Sequence, residues 1–343
     1  MKILVLDPRN GDGCADLYVM REDDSRIECL RLGYVPELHY DARAHQLVVV
    51  ETELYDGGSK HWLKCYDADT FQLLLLLETP VRPMYSGFPG RSFRVKSSET
   101  GRYLYFLEST IHPRLIDLYR IRVHRYDRQQ ERMESSPMVI DSCMADFDQF
   151  GECDDELCFH LSCEFPSTLA FTRFDSPELR MLQLEEVESR TPSPRETCGS
   201  YFSKEKAACY CITGEGAIHV AENNPPRSRL LTKMKLKGER SIPLAQIYQS
   251  GDSLLVGVSV DMGMRGLSMA SEIWRLDAED GEVLDVFKLQ MPVMNFVTTP
   301  GGSFLLGVNP YENALMMLEV ATGKTLGFKD KLGISPGEVL LLP

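Results

Sequence analysis

Residues Gln46–Leu77 read QLVVVETELYDGGSKHWLKCYDADTFQLLLLL, and the punctuation of this stretch decides the fold. An apolar strand, Gln46-Leu47-Val48-Val49-Val50, leads to a second strand ending Trp62-Leu63-Lys64-Cys65-Tyr66. A turn at Asp67-Ala68-Asp69-Thr70 and a third strand from Leu73 to Leu77 follow. Aspartate at a turn entrance accepts backbone N–H bonds and glycine supplies positive φ, so such turns join hairpins. The same order recurs at Glu272-Ile273-Trp274-Arg275-Leu276, turn Asp277-Ala278-Glu279-Asp280-Gly281, strand Val283 to Leu289. It recurs again at Leu315 to Val320 with the turn Ala321-Thr322-Gly323. Strands of this kind begin near Lys2, Gln46, Arg102, Glu156, Ala207, Ser253 and Ser303. Their spacing of roughly 45–55 residues is the period of a four-stranded propeller blade. Apolar residues run in short blocks or alternate, without the i, i+3, i+4 stripe of a helix.

The prediction is an all-β, seven-bladed β-propeller forming one domain over residues 1–343. Its ends specify how the ring closes. The chain opens on a strand, Ile3 to Leu6, and finishes on Glu338-Val339-Leu340-Leu341-Leu342. Pairing the last strand, as the innermost of its blade, with three strands from residues 2–32 seals the ring and removes a free edge. The five consecutive leucines Leu73–Leu77 would invite aggregation on such an edge. They are therefore expected where both faces or a neighbouring blade cover them.

Composition narrows the partners. Lys and Arg total 37 against 51 Asp and Glu, a formal charge of −14. Such a chain repels phosphate backbones and anionic lipid, which argues against nucleic-acid and membrane-surface binding. No stretch approaches the ~20 apolar residues of a membrane-spanning helix. The start has too few apolar residues for a signal peptide, so the chain as given reads as cytoplasmic, or periplasmic if a leader was removed. In a reducing compartment most of the ten cysteines would be buried thiols.

Val5-Leu6-Asp7-Pro8, Gly33-Tyr34-Val35-Pro36, Tyr66-Asp67-Ala68-Asp69-Thr70 through Thr79-Pro80, Val260-Asp261 to Ala278, and the closing segment Asp277 to Leu341 carry a family likeness. Over essentially its whole length the chain resembles the heavy, β-propeller subunit of quinoprotein amine dehydrogenases. That resemblance implies a non-catalytic subunit without a cofactor of its own, part of a hetero-oligomeric oxidoreductase complex. A small light subunit would carry a tryptophan-derived quinone, and the propeller would hold that subunit, or a peptide, and shape substrate access. The two tryptophans here, Trp62 and Trp274, lie on separate predicted strands and read as packing residues. The resemblance also places a substrate entrance at Arg9, Asn10 and Gly11, with Gly11 where one branch of the family has phenylalanine. It sets Cys143 and Cys163 where the family has a disulfide, bonded if the chain is exported and free in the cytoplasm.

Two further segments suit a partner. Arg82-Pro83-Met84-Tyr85-Ser86-Gly87-Phe88-Pro89 sets Arg82, Met84, Tyr85 and Phe88 on a connection between blades. The loop from Asp261 to Met269 carries Met262, Met264 and Arg265, whose thioethers adapt to irregular apolar surfaces. No catalytic motif and no complete metal-ligand spacing appears. Cys158 with His160, and Cys209 with Cys211, each share a strand face but supply only two donors apiece. His39 lies on a predicted innermost strand near the channel. Asp146, Asp148, Glu152, Asp154, Asp155 and Glu156 form an acidic cluster that reads as a solvated loop, with a site for a cation or a basic peptide as the alternative. Three functions therefore stand: the amine-dehydrogenase-like subunit, a freestanding interaction propeller, and a metal-dependent propeller hydrolase or lactonase.

Overall fold

The computed structural model describes residues 2–7, 14–21, 27–55, 58–79, 95–111, 119–142, 145–149, 154–161, 168–184, 197–203, 206, 208–213, 216–223, 226–235, 246–258, 269–299, 301–329 and 338–342. These residues form seven four-stranded antiparallel sheets. The first strand of a blade packs beside the first strand of a neighbour, which arranges the sheets as blades around an axis. Blade 1 is the sealed one. Glu338–Leu342 pairs antiparallel with Lys2–Asp7, Leu342 opposite Lys2 and Glu338 opposite Leu6, and Ala15–Arg21 and Ile27–Leu32 complete it. The closure expected from the two chain ends is the one observed.

Blade 2 comprises Tyr34–Asp41, Gln46–Tyr55, Gly58–Asp67 and Leu73–Glu78, from the inside outward. Its second strand shows why the apolar run is continuous rather than alternating. Leu47 and Val49 enter a seam shared with blade 1, while Val48 and Val50 enter one shared with blade 3. A strand buried on both faces needs apolar side chains at every position. Seven apolar clusters of this kind occur among the described residues, one at each boundary between neighbouring blades. The core is therefore a ring of seams.

Blades splay apart toward their outer strands, and there the reading of Leu73–Leu77 is corrected. The strand is the outermost of blade 2, with Leu74 53 % and Leu76 51 % exposed, while Leu75 and Leu77 pack on the seam with blade 3. One face is covered and the other is not.

The turns behave as their composition predicts. Asp67 Oδ1 accepts from the amides of Asp69 (3.0 Å) and Thr70 (2.8 Å), and Asp277 Oδ1 accepts from Glu279 at 2.7 Å. Four residues beyond the turn aspartate the backbone takes positive φ, at Gly281 (76°) but also at His45 (53°), Phe71 (55°) and Glu131 (51°). The hairpin geometry therefore holds even where glycine is lacking, because the aspartate bonds fix the turn before it.

These carboxylates link stability to acid. Hydrogen bonds from Arg102, joined by the Gln130 and Gln129 amides, hold Asp127 down to about 2. Thr70 lowers Asp67, and the Glu279 amide lowers Asp277. A carboxyl depressed in the folded state contributes stability above its unfolded pKa of about 3.9 and loses it as pH falls through the folded value. The thermal midpoint is accordingly expected to hold above about pH 4 and to drop between about pH 4 and 2. Asp127→Asn should flatten that drop, as followed by circular dichroism melts; a midpoint equally steep in the variant would contradict this.

Candidate functional site

Blade 3 is built from Val95–Ser97, Tyr103–Ile111, Tyr119–Asp127 and Arg132–Ser142. Its third strand pairs residue for residue with the second, setting His124 opposite Phe106 and Arg122 opposite Glu108. Because alternate residues share a face, Glu108, Arg122 and His124 all turn toward blade 2. Pairing with the outer strand is regular up to His124 opposite Ser135, then shifts so that Arg122 faces Val139. Ser136, Pro137 and Met138 thus lie opposite the single residue Val123. Pro137 cannot donate to a ladder, which is why the strand bulges there. Two extra residues preserve the alternation: Ser135, Pro137 and Val139 stay exposed, while Ser136, Met138 and Ile140 are buried against blade 4.

The register brings together a carboxylate, an imidazole and a hydroxyl. Glu108 Oε2 lies 3.0 Å from His124 Nε2, and His124 Nδ1 lies 2.9 Å from Ser135 Oγ. An ionised carboxylate only accepts, so in the neutral ring the proton sits on Nε2 and donates to Glu108. Nδ1 is then the bare nitrogen that accepts the Ser135 hydroxyl. The imidazole is buried (side chain 7 % exposed) and Glu108 nearly so, whereas Ser135 opens to solvent. Below them run Phe106, Leu104 and Tyr126, with Leu75, Leu77 and Met133 packed on the same seam.

The neighbouring blade provides an internal comparison. Lys64 stands three residues ahead of Asp67 as His124 does ahead of Asp127. Lys64 pairs with buried Glu51, which also accepts from the Gly33 amide at 2.8 Å. There the outer-strand residue opposite the cation is Leu76. Blade 3 has histidine where blade 2 has lysine and serine where blade 2 has leucine, so a chain of two hydrogen bonds stands in place of an ion pair.

Of the residues singled out in the sequence, Arg9, Asn10, Gly11, Arg82, Met84, Tyr85, Phe88, Met262, Met264, Arg265, Cys143 and Cys163 lie outside the described residues. His39 is on the innermost strand as expected, with Nε2 accepting from the Ser97 amide at 3.1 Å and 3.0 Å from Ser97 Oγ. It ties the first strands of blades 2 and 3 together. Of the acidic cluster, Glu152 and the side chains of Asp146 and Asp148 lie outside what is described; Asp154 accepts from the Thr100 amide and hydroxyl, and Asp155 pairs with Arg125 at 2.6 Å. Both carboxylates bridge blades 3 and 4. Cys158, Cys209 and Cys211 are buried together on the seam between blades 4 and 5, with the Cys209 and Cys211 sulfurs 3.6 Å apart. Among the described residues no three His, Cys, Asp or Glu side chains form a group able to hold a metal ion. Trp62 and Trp274 sit in blades 2 and 6 and donate to Glu53 and Glu272 respectively.

No protein-family model matches the chain, and no curated protein sequence matches it. Solved structures do. The periplasmic gluconolactonase of Pseudomonas aeruginosa has a TM-score of 0.66 at 14 % identity, over 99 % of this chain and 98 % of that one. A candidate 6-phosphogluconolactonase of Bacteroides uniformis gives 0.63 at 14 % identity over the same shares. Sqt1 of Saccharomyces cerevisiae gives 0.59 at 14 % identity, over 97 % of this chain and 86 % of its own. These findings overturn the resemblance to amine dehydrogenase heavy chains, which is not among them, and with it the oxidoreductase-subunit reading. The motifs behind that resemblance, the Asp-led turns and the blade rhythm, are consequences of hairpin geometry that propellers share. At these identities the likeness is one of fold: this chain is a seven-bladed β-propeller.

Proposed function

We propose that the protein hydrolyses carboxylic esters, cyclic esters included, with Ser135 as nucleophile, His124 as general base and Glu108 as the group that orients and stabilises the imidazolium. The Glu108–His124–Ser135 relay carries this reading. Support comes also from the fold, shared with a gluconolactonase and with a candidate 6-phosphogluconolactonase. In the first step Ser135 Oγ attacks the ester carbonyl carbon as its proton passes to His124 Nδ1. The acyl–oxygen bond then breaks and the leaving alkoxide takes that proton. In a lactone the alkoxide remains tethered to the acyl group. Water, deprotonated by the same nitrogen, cleaves the acyl-serine and restores the hydroxyl, so the sum is ester plus water to acid plus alcohol.

The test is hydrolysis of p-nitrophenyl butyrate and of glucono-δ-lactone by the wild-type chain and by Ser135→Ala. Turnover by the wild type that disappears in the variant is expected. Equal turnover by both proteins, or none by the wild type, would overturn the reading.

A further inference from the structure

The described arginines of blade 3 differ in one respect. Arg102 pairs with Asp127, Arg120 with Asp141, Arg125 with Glu134 and Asp155, Arg128 with Asp41, and Arg132 with Glu134. Arg122 is exposed, and no described carboxylate lies within ion-pair distance of it. Its register position is the informative one. It stands directly across from Glu108 and two residues ahead of His124, on the face that carries the relay. Across the bulge, Val139 opposes it on the outer strand that also presents Ser135. The Glu108 carboxylate facing it is engaged with His124.

We propose that Arg122 is the anion subsite of this hydrolase, binding a carboxylate or phosphate group borne by the ester that Ser135 attacks; this rests on the hydrolase reading above. Elsewhere a chain of net charge −14 repels such a substrate, so an exposed guanidinium outside any ion pair, two residues from His124 and on the same face, decides where an anionic ester lands. A guanidinium also grips an oxyanion through two parallel N–H bonds, fixing orientation as well as position. Arg122 does not enter the bond-making step. It sets which ester is presented.

Two esters with the same leaving group separate the possibilities: neutral p-nitrophenyl butyrate and anionic mono-p-nitrophenyl succinate, assayed with the full chain. The wild type should prefer the succinate ester in kcat/KM. Arg122→Gln should lower the anionic-to-neutral ratio about 10- to 100-fold, chiefly through KM, and Arg122→Lys should restore part of it. A ratio that Arg122→Gln leaves unchanged overturns the subsite. So does an equal loss on both esters, which would make Arg122 a support for Glu108 instead. Calorimetric titration with succinate itself reads the subsite without turnover: wild-type binding lost in Arg122→Gln supports it even if neither ester is hydrolysed and the hydrolase reading fails. Binding that is equal in both proteins, or undetectable in the wild type, counts against it.

Discussion

His124→Gln is expected to lower ester turnover by about 10²–10⁴-fold, the range over which a positioned general base acts. Glutamine cannot take up the proton that Ser135 releases, so the attack on the carbonyl loses its base. Glu108→Gln should reduce turnover by less, because an amide still reaches His124 but no longer favours the imidazolium or selects the tautomer with its free lone pair on Nδ1. The double variant should fall little below His124→Gln alone, since residues acting as one unit are not additive. Steady-state kinetics on p-nitrophenyl butyrate read all three. Independent, multiplicative losses in the double variant would mean that the carboxylate and the imidazole do not work as a relay.

For stability, Arg128→Met is expected to cost about 3–5 kcal/mol, the penalty for stripping one partner from a buried ion pair. Arg128 leaves the turn of blade 3 and reaches into blade 2, where Nη1 meets Asp41 Oδ2 at 2.6 Å and Nη2 meets Gln46 Oε1 at 3.1 Å. Nη1 also donates to the Gly101 carbonyl at 2.8 Å. Asp41 is wholly buried, and its other oxygen accepts from the Arg43 and Ala44 amides. Removing the guanidinium would therefore leave a charge without water or cation. Adding Asp41→Asn should recover much of the loss, because the amide oxygen keeps the turn bonds and no unpaired charge remains. Urea denaturation of the single and double variants checks this; a single variant within about 1 kcal/mol of the wild type would show the pair to be dispensable.

The fold could be read from the chain because its two signals are local. The run Leu47–Val50 has the continuous apolarity of a strand buried on both faces, and Asp67 and Asp277 each mark a turn by a bonding capacity evident in the residue itself. Closure was legible too, since neither chain end carries a complete blade: the start supplies three strands and the final strand supplies the fourth. Leu73–Leu77 misled because apolarity says nothing about whether a strand is the second or the fourth of its blade; the splay of the blades decides that. The relay was hidden for a related reason. Glu108, His124 and Ser135 come from three strands, and only their register, shifted by the bulge at Ser136–Met138, sets them in line. Pro137 inside a strand was the available clue, since a proline there marks a bulge. It points to irregular pairing, not to chemistry.

The account turns on Ser135 being a nucleophile activated by His124. Treatment of the native chain with a fluorophosphonate probe, followed by peptide mapping, tests this most directly. The expected result is one phosphonyl group on Ser135, formed rapidly in the wild type and slowed in His124→Gln while far-ultraviolet circular dichroism stays that of the folded propeller. A Ser135 that stays unmodified, or one labelled no faster than Ser135 of His124→Gln, would contradict it.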